Sequence, residues 1–186
     1  MEVFEVLVLK RLCSYFVSLA ILISMFVCCP GLTATNVTAA SVYNAVPGTE
    51  LVGLNTQWRY LDNGTDPAGA QGRTSWTLTG FDDSAWKTNG SANAKFGSKR
   101  GQIADLGNGI KPTVLLNHYL SDGSTGVPTY FFRTQFELSG SVTGMLLSGT
   151  VLYDDAAIVY INGEKVASFH EPEGGFASNL SYGGSN

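Results

Sequence analysis

The chain has 186 residues, 44% hydrophobic, 11% aromatic and 14% charged, with 22 glycines and a formal net charge of −4. That length suits one domain, and low charge with abundant glycine suits short strands and tight turns rather than long surface helices. No basic cluster occurs, which argues against a nucleic-acid partner.

Lys10 and Arg11 precede an uncharged run at 12–27 (LCSYFVSLAILISMFV), followed by Pro30, Gly31 and small residues. A basic start, an apolar middle and a small-residue exit are the parts of an export signal. A membrane anchor is the competing reading. The run is shorter than the ~20 residues a spanning helix needs, and no basic stop-transfer cluster follows it. Cleavage is expected after Val37-Thr38-Ala39 in preference to Leu32-Thr33-Ala34. Cys28 follows Val27, not the small residue that lipidation prefers. Cys13, Cys28 and Cys29 all lie in this segment, so the exported chain relies on its hydrophobic core alone. The division expected is a signal peptide at 1–39, a leader at 40–55 and a module at 56–186, with no stable membrane span after processing.

Within the module, residues 57–61 (QWRYL) alternate, placing Trp58 and Tyr60 on one strand face and Arg59 on the other. Residues 62–67 (DNGTDP) form a turn cluster, and 75–78 (SWTL) a short strand or extended loop. In 81–86 (FDDSAW), Asp82 as N-cap would set Phe81 and Trp86 as the partners of a hydrophobic staple around one helical turn. Residues 88–112 have no sustained period and read as a long connection with short pieces of strand. Residues 113–120 (TVLLNHYL) suggest another strand. The cleanest strand is 130–138 (YFFRTQFEL), with Tyr130, Phe132, Thr134, Phe136 and Leu138 on one face and Phe131, Arg133, Gln135 and Glu137 on the other. Residues 145–152 (MLLSGTVL) follow as a further strand.

Asn162-Gly163 lies between two apolar runs and favours a two-residue type I′ hairpin turn. That loop would pair Ile161 with Glu164, Tyr160 with Lys165, Val159 with Val166 and Ile158 with Ala167. It would turn Val159, Ile161 and Val166 to the core, leaving Tyr160 and Lys165 on a wet or half-covered face. The tail from 171 is rich in Gly, Ser and Asn. Short strands separated by turn signals predict an all-β sandwich of antiparallel sheets.

Several pieces recur together in order: WRYLDNGTDP (58–67), Trp76, FDDSAW (81–86), Phe96-Gly97, TYFFRTQFEL (129–138) and YDDAAIVYING (153–163). This set resembles the galactose-binding-like jelly-roll module of secreted bacterial multidomain proteins. There the module often stands beside a calcineurin-like metallophosphoesterase, a glycoside hydrolase or a cell-wall-associated domain. The resemblance spans 58–169. Ala156 follows the paired aspartates where such modules usually carry glycine, and no closing strand follows the hairpin. The resemblance therefore implies a jelly roll that is incomplete at its C-terminus, a fragment of a longer protein.

His118 and His170 are the two histidines, and no Asp-x-His motif accompanies them, so both read as ordinary surface or loop residues. Asp154 and Asp155 are adjacent, and neighbouring strand residues point to opposite faces, so they do not converge as an acid/base pair. A structural bond, or contact with a ligand or Ca²⁺, remains open for them. Asp62 and Asp66 are weak Ca²⁺ candidates, since their segment lacks the full calcium-loop pattern and reads better as an Asx-turn. Asn-x-Ser/Thr sites occur at Asn36, Asn63, Asn89 and Asn179. Trp58, Tyr60, Trp86, Phe132 and Phe136 are expected in the core. Trp76, Tyr119 and Tyr130 lie nearer loops and are the candidates for stacking on a sugar ring.

The sequence thus leads to a secreted or cell-surface accessory module without catalysis of its own. Its expected partners are a carbohydrate or cell-wall polymer and an attached catalytic domain in a longer protein. The alternatives are a ligand-free packing domain for a secreted metallophosphoesterase, or a structural or adhesive spacer.

Overall fold

A computed structural model describes residues 2–9, 26–28, 50–98, 111–138 and 146–181, with the backbone alone at 2–9, 26–28 and Leu146. Several expected features lie outside these residues. They are the export run at 12–25, both cleavage sites, Cys13, Cys29, Asn36, the start of the leader, the connection at 99–110 and the turn at 139–143.

The fold is all-β. In chain order the strands are β1 (Glu2–Leu9), β2 (Phe26–Cys28), β3 (Arg59–Leu61), β4 (Lys87–Thr88), β5 (Phe96–Gly97) and β6 (Val114–Leu115). They continue with β7 (Thr129–Phe136), β8 (Leu146–Ser148), β9 (Ala156–Ile161) and β10 (Glu164–Phe169). Six form one sheet in the order β10-β9-β1-β7-β3-β4, while β2 pairs with β8 and β5 with β6. β1 lies within the stretch expected to be an export signal, yet it runs antiparallel to β7 on one side and to β9 on the other. β5 and β6 pair in parallel, a departure from the all-antiparallel expectation.

Alternation along β7 sends its side chains to two faces, and both are covered. On one face Tyr130, Phe132 and Phe136 join Trp58, Tyr60, Phe96, Val114 and Val159 in the larger core. The ring of Phe96 lies 4.8 Å from Phe132 and 5.4 Å from Tyr60, so β5 and β6 form a second layer over this face. On the other face Phe131 packs with Trp76, Trp86, Ile158, Tyr160 and Phe176. A 3-10 turn at Ser75–Thr77 and the tail cover that side. Tyr160, expected on a wet or half-covered face, is buried there, and burial raises its pKa above the ordinary tyrosine value. Val52 is also fully buried in the larger core, so the packed module reaches upstream into the expected leader.

Arg133 shares the second face of β7 and is 1% exposed. A guanidinium in that position is tolerable only when its donors are matched. Its Nε donates to Asp83 Oδ2 at 2.9 Å, and Nη2 donates to the Leu78 carbonyl at 3.2 Å. Nη1 donates to the Trp76 carbonyl. Its planar head lies 5.2 Å from the centroid of Phe81. Asp83 is also ion-paired with Arg59, whose Nε lies 3.2 Å from Asp83 Oδ1. These contacts draw 76–83 onto the sheet. In place of the expected helical turn at 81–86 there is one tight turn at 83–86, closed by the Trp86 N–H donating to the Asp83 carbonyl at 2.9 Å. Ser84 N–H donates to Asp82 Oδ1 at 3.0 Å, and the Phe81 and Trp86 rings meet edge to face at 5.9 Å. The aromatic pair forms without the helix.

The hairpin turn has positive φ at both Asn162 (50°) and Gly163 (89°), as a type I′ turn requires. Its first two pairs, Ile161 with Glu164 and Tyr160 with Lys165, match the expectation. Beyond them a β-bulge between Lys165 and Ala167 sets Ala167 opposite Val159 and Ser168 opposite Ile158. The extra residue is Val166, which is 52% exposed and faces water instead of the core.

The bulge predicts different costs for two valines. Val159→Ala should lower stability by about 2 kcal/mol, whereas Val166→Thr should stay within about 0.5 kcal/mol, both read from urea unfolding. Asp83→Ala strands the Arg133 charge and should cost about 3–5 kcal/mol, far more than any exposed ion pair.

Candidate functional site

The sheet register gathers the loops. Leu9, Thr129 and Ala156 align across β1, β7 and β9, Leu61 faces Phe131, and Phe169 faces Ala157. The chain therefore leaves β3 and β10, and enters β7 and β9, at one end of the sheet. Residues 62–68, 117–128, 149–155 and 170–181 meet there.

Hydrogen bonds hold these segments together. Asn117 N–H donates to Asp62 Oδ2 at 2.8 Å, and the Tyr130 hydroxyl donates to the Asn117 carbonyl at 2.8 Å. Thr129 Oγ1 donates to the Ser181 carbonyl at 3.1 Å. Asn179 Nδ2 donates to Asp66 Oδ1 at 3.0 Å and to the Arg73 carbonyl at 2.8 Å. Leu120 sits against Gly64, where φ is +74° and a side chain would collide with it. Lys165 Nζ reaches Glu171 at 2.9 Å.

Of the stacking candidates, Trp76 and Tyr130 are each 1% exposed. Trp76 is enclosed by Phe131 at 5.2 Å and Tyr160 at 5.8 Å, and so offers no open face to a sugar. Tyr130 is enclosed because both faces of β7 are covered. Both are core residues, a correction to the sequence reading. Tyr119 is half-buried, bridges to Gly126 across its loop, and has its ring 4.6 Å from that of His118.

Asp154 and Asp155 form a bend just before β9 and are half-buried. Asp155 has φ 70° and His170 has φ 53°, both in the left-handed region. His170 Nδ1 lies 2.8 Å from the Asp155 carbonyl oxygen, which joins the two. The Tyr153 ring lies 5.0 Å from Phe169 and 5.6 Å from His170. An aromatic and acidic cluster therefore marks the base of the hairpin. From the sequence, Tyr153 and Phe169 carry no site role and His170 reads as an ordinary histidine, although Phe169 ends β10, the partner of the strand that Asp154-Asp155 precede.

Asp62 and Asp66 are committed to structure. Asp62 is 1% exposed and binds Lys87 Nζ at 2.8 Å as well as Asn117. The Asp62 charge adds to burial in raising the pKa of Tyr60. Asp66 Oδ1 accepts from Ala68 N–H at 2.9 Å and from Asn179. Asn63 Oδ1 accepts from Thr65 N–H at 3.0 Å, so the segment is held by Asx-type bonds. Among the described residues no group of three or more His, Cys, Asp or Glu converges on a metal position. Asn89 and Asn179 are buried and hydrogen-bonded, so their acceptor sequences are closed to a glycan in the folded chain, while Asn63 is exposed.

Asp122 lies on the loop that carries Tyr119. Bonds from the Thr125 hydroxyl and from the Ser124 and Thr125 amides hold its pKa down at about 2, against an ordinary 3.8. With the folded value below the unfolded one, its stabilisation is present above about pH 4 and is lost as pH falls through about 2. An NMR carboxyl titration of Asp122 checks the value, and the same scan should show loop 121–125 loosening in step. Trp76→Ala should cost about 3–5 kcal/mol in chemical unfolding, as an enclosed core ring does and a surface stacking ring does not.

Comparison with family models, curated proteins and solved structures finds no match for this chain.

Proposed function

We propose that the chain is an exported, non-catalytic accessory module. It binds a carbohydrate or cell-surface polymer at the loop end of the large sheet and presents it to an attached hydrolase. A jelly-roll sandwich is the form of all-β fold that goes with this reading. The observation that carries it is the register that brings two clusters to the same end of the sheet, His118 with Tyr119 on one loop and Tyr153, Asp154, Asp155, Phe169 and His170 at the base of the hairpin. Partly open rings beside carboxylates and an imidazole suit a sugar's apolar ring face and its rim of hydroxyls.

The polar chemistry of the described residues leans the same way. Ser98 Oγ and His118 Nδ1 are 3.0 Å apart, a nucleophile-and-base contact in outline. Ser98 is 0% exposed, however, so its hydroxyl is closed to a substrate and serves to anchor the His118 ring.

Retention of the exported full chain on a glycan array and on insoluble polysaccharides tests the proposal. Tyr119→Ala should weaken retention about tenfold, equivalent to 1.4 kcal/mol, without lowering the melting temperature. Retention on no polymer would overturn the binding role in favour of a ligand-free packing domain or spacer.

A further inference from the structure

β1 fills the middle of the large sheet. Glu2 to Leu9 pair with Phe136 to Thr129, and Phe4 to Leu9 pair with Ile161 to Ala156. Because β1 is antiparallel to both neighbours, β7 and β9 run parallel to each other, one strand's width apart. Side chains outside β1 help hold that spacing. Phe131 and Ile158 share the core on one face of the sheet, and Phe132 and Val159 share the core on the other. The peptide groups of β7 and β9 that face the gap therefore lie between two apolar cores. Each left unpaired there would cost about 1–3 kcal/mol.

The same eight residues stand ahead of the apolar run at 12–27, in the stretch that the sequence marks for removal on export. A sheet strand and a cleaved leader make incompatible demands on one segment. Removal of 1–39 would vacate the gap in every processed copy, so another processed copy would have no β1 to lend.

We infer that the gap between β7 and β9 is a strand-acceptor site, which β1 occupies here and an extended strand of a second polypeptide occupies after export. The occupant is set by the chemistry of the gap. It is at least as long as the pairing with β9, runs antiparallel to both neighbours, is apolar on both faces and lacks internal proline. Residues 2–9 (EVFEVLVL) show the pattern, apolar except at Glu2 and Glu5. The inference rests on the export reading for its timing, but the slot can be tested apart from native processing.

The test uses the full chain with a specific-protease site placed at 34–39, cut after folding. The probe is a labelled peptide of residues 2–9 with a lysine-rich solubilising tail. Once 1–39 is displaced, amide exchange in 129–136 and 156–161 should accelerate about tenfold or more. The peptide should restore protection with one-to-one capture, and its Val6→Pro form should bind about tenfold more weakly or worse. The inference is overturned if the cut chain keeps both strands protected and captures no peptide. Unfolding despite excess peptide present throughout would overturn it too, as would a dimer of cut chains that excludes the peptide. The N-terminal mass of the exported protein separately tests cleavage, so failure of the slot and failure of export are distinguishable.

Discussion

The second core depends on one buried cation. Arg133 projects from the middle of β7 into a face lined mainly by aromatic rings, and the chain folds back to meet it. Asp83 supplies the countercharge, the carbonyls of Trp76 and Leu78 each accept from one terminal nitrogen, and the Phe81 ring lies against the guanidinium plane. An isolated buried charge is among the most unfavourable things a small core can hold, so the position of the Asp83 loop is dictated rather than preferred. The Asp62–Lys87 pair differs in kind. Its lysine is half exposed, so solvent screens the attraction, and its larger contribution is to orient Asp62 toward the Asn117 amide.

Features governed by local chemistry were legible in the sequence. The alternation of 130–136 located β7, the alternation of 57–61 located β3, and Asn162-Gly163 located the hairpin turn. Features set by distant residues were not. Alternation put Phe131 and Arg133 on one face, and a charge on a strand usually signals water. The cover for that face comes from residues far away in the chain, and no period in the sequence reports it. The bulge at Val166 is similar: a two-residue turn fixes the register only as far as the ladder stays regular. At 81–86 the aromatic spacing correctly brought Phe81 to Trp86, but Asp83 answers to Arg133 and Arg59, and the backbone follows those bonds instead of a helix.

The candidate site was legible in part for the same reason. Tyr119, read as close to a loop, is on one, whereas Asp154 and Asp155, read as strand residues, form a bend just before β9; the register of β3, β7, β9 and β10 brings those loops to one end. Trp76 and Tyr130 also seemed loop-proximal, yet each is drawn inward by a contact invisible in the sequence. The Trp76 carbonyl accepts from Arg133, and the Tyr130 hydroxyl donates to Asn117. Neighbours in sequence describe where a residue begins, whereas burial depends on what closes over it.

At the loop end, structural polarity borders the surface proposed for recognition. Asp62, Asp66, Asn117, Thr129 and Asn179 are bound to one another or to backbone, and together they fasten the loops at 62–68, 117–128 and 170–181 into a frame. A frame of this kind lowers the entropy lost when a ligand settles, because the loops are already ordered. The strained pair Asp155 and His170, joined by a single hydrogen bond, occupies the base of the hairpin inside that frame. Left-handed backbone at two non-glycine residues costs of order 1–3 kcal/mol each and persists only where its surroundings impose it. Here they turn the chain out of β10 and into β9 so that Tyr153, Phe169 and His170 cluster beside the carboxylates. The rigid interior thus sustains an unfavourable rim that carries both aromatic rings and carboxylates.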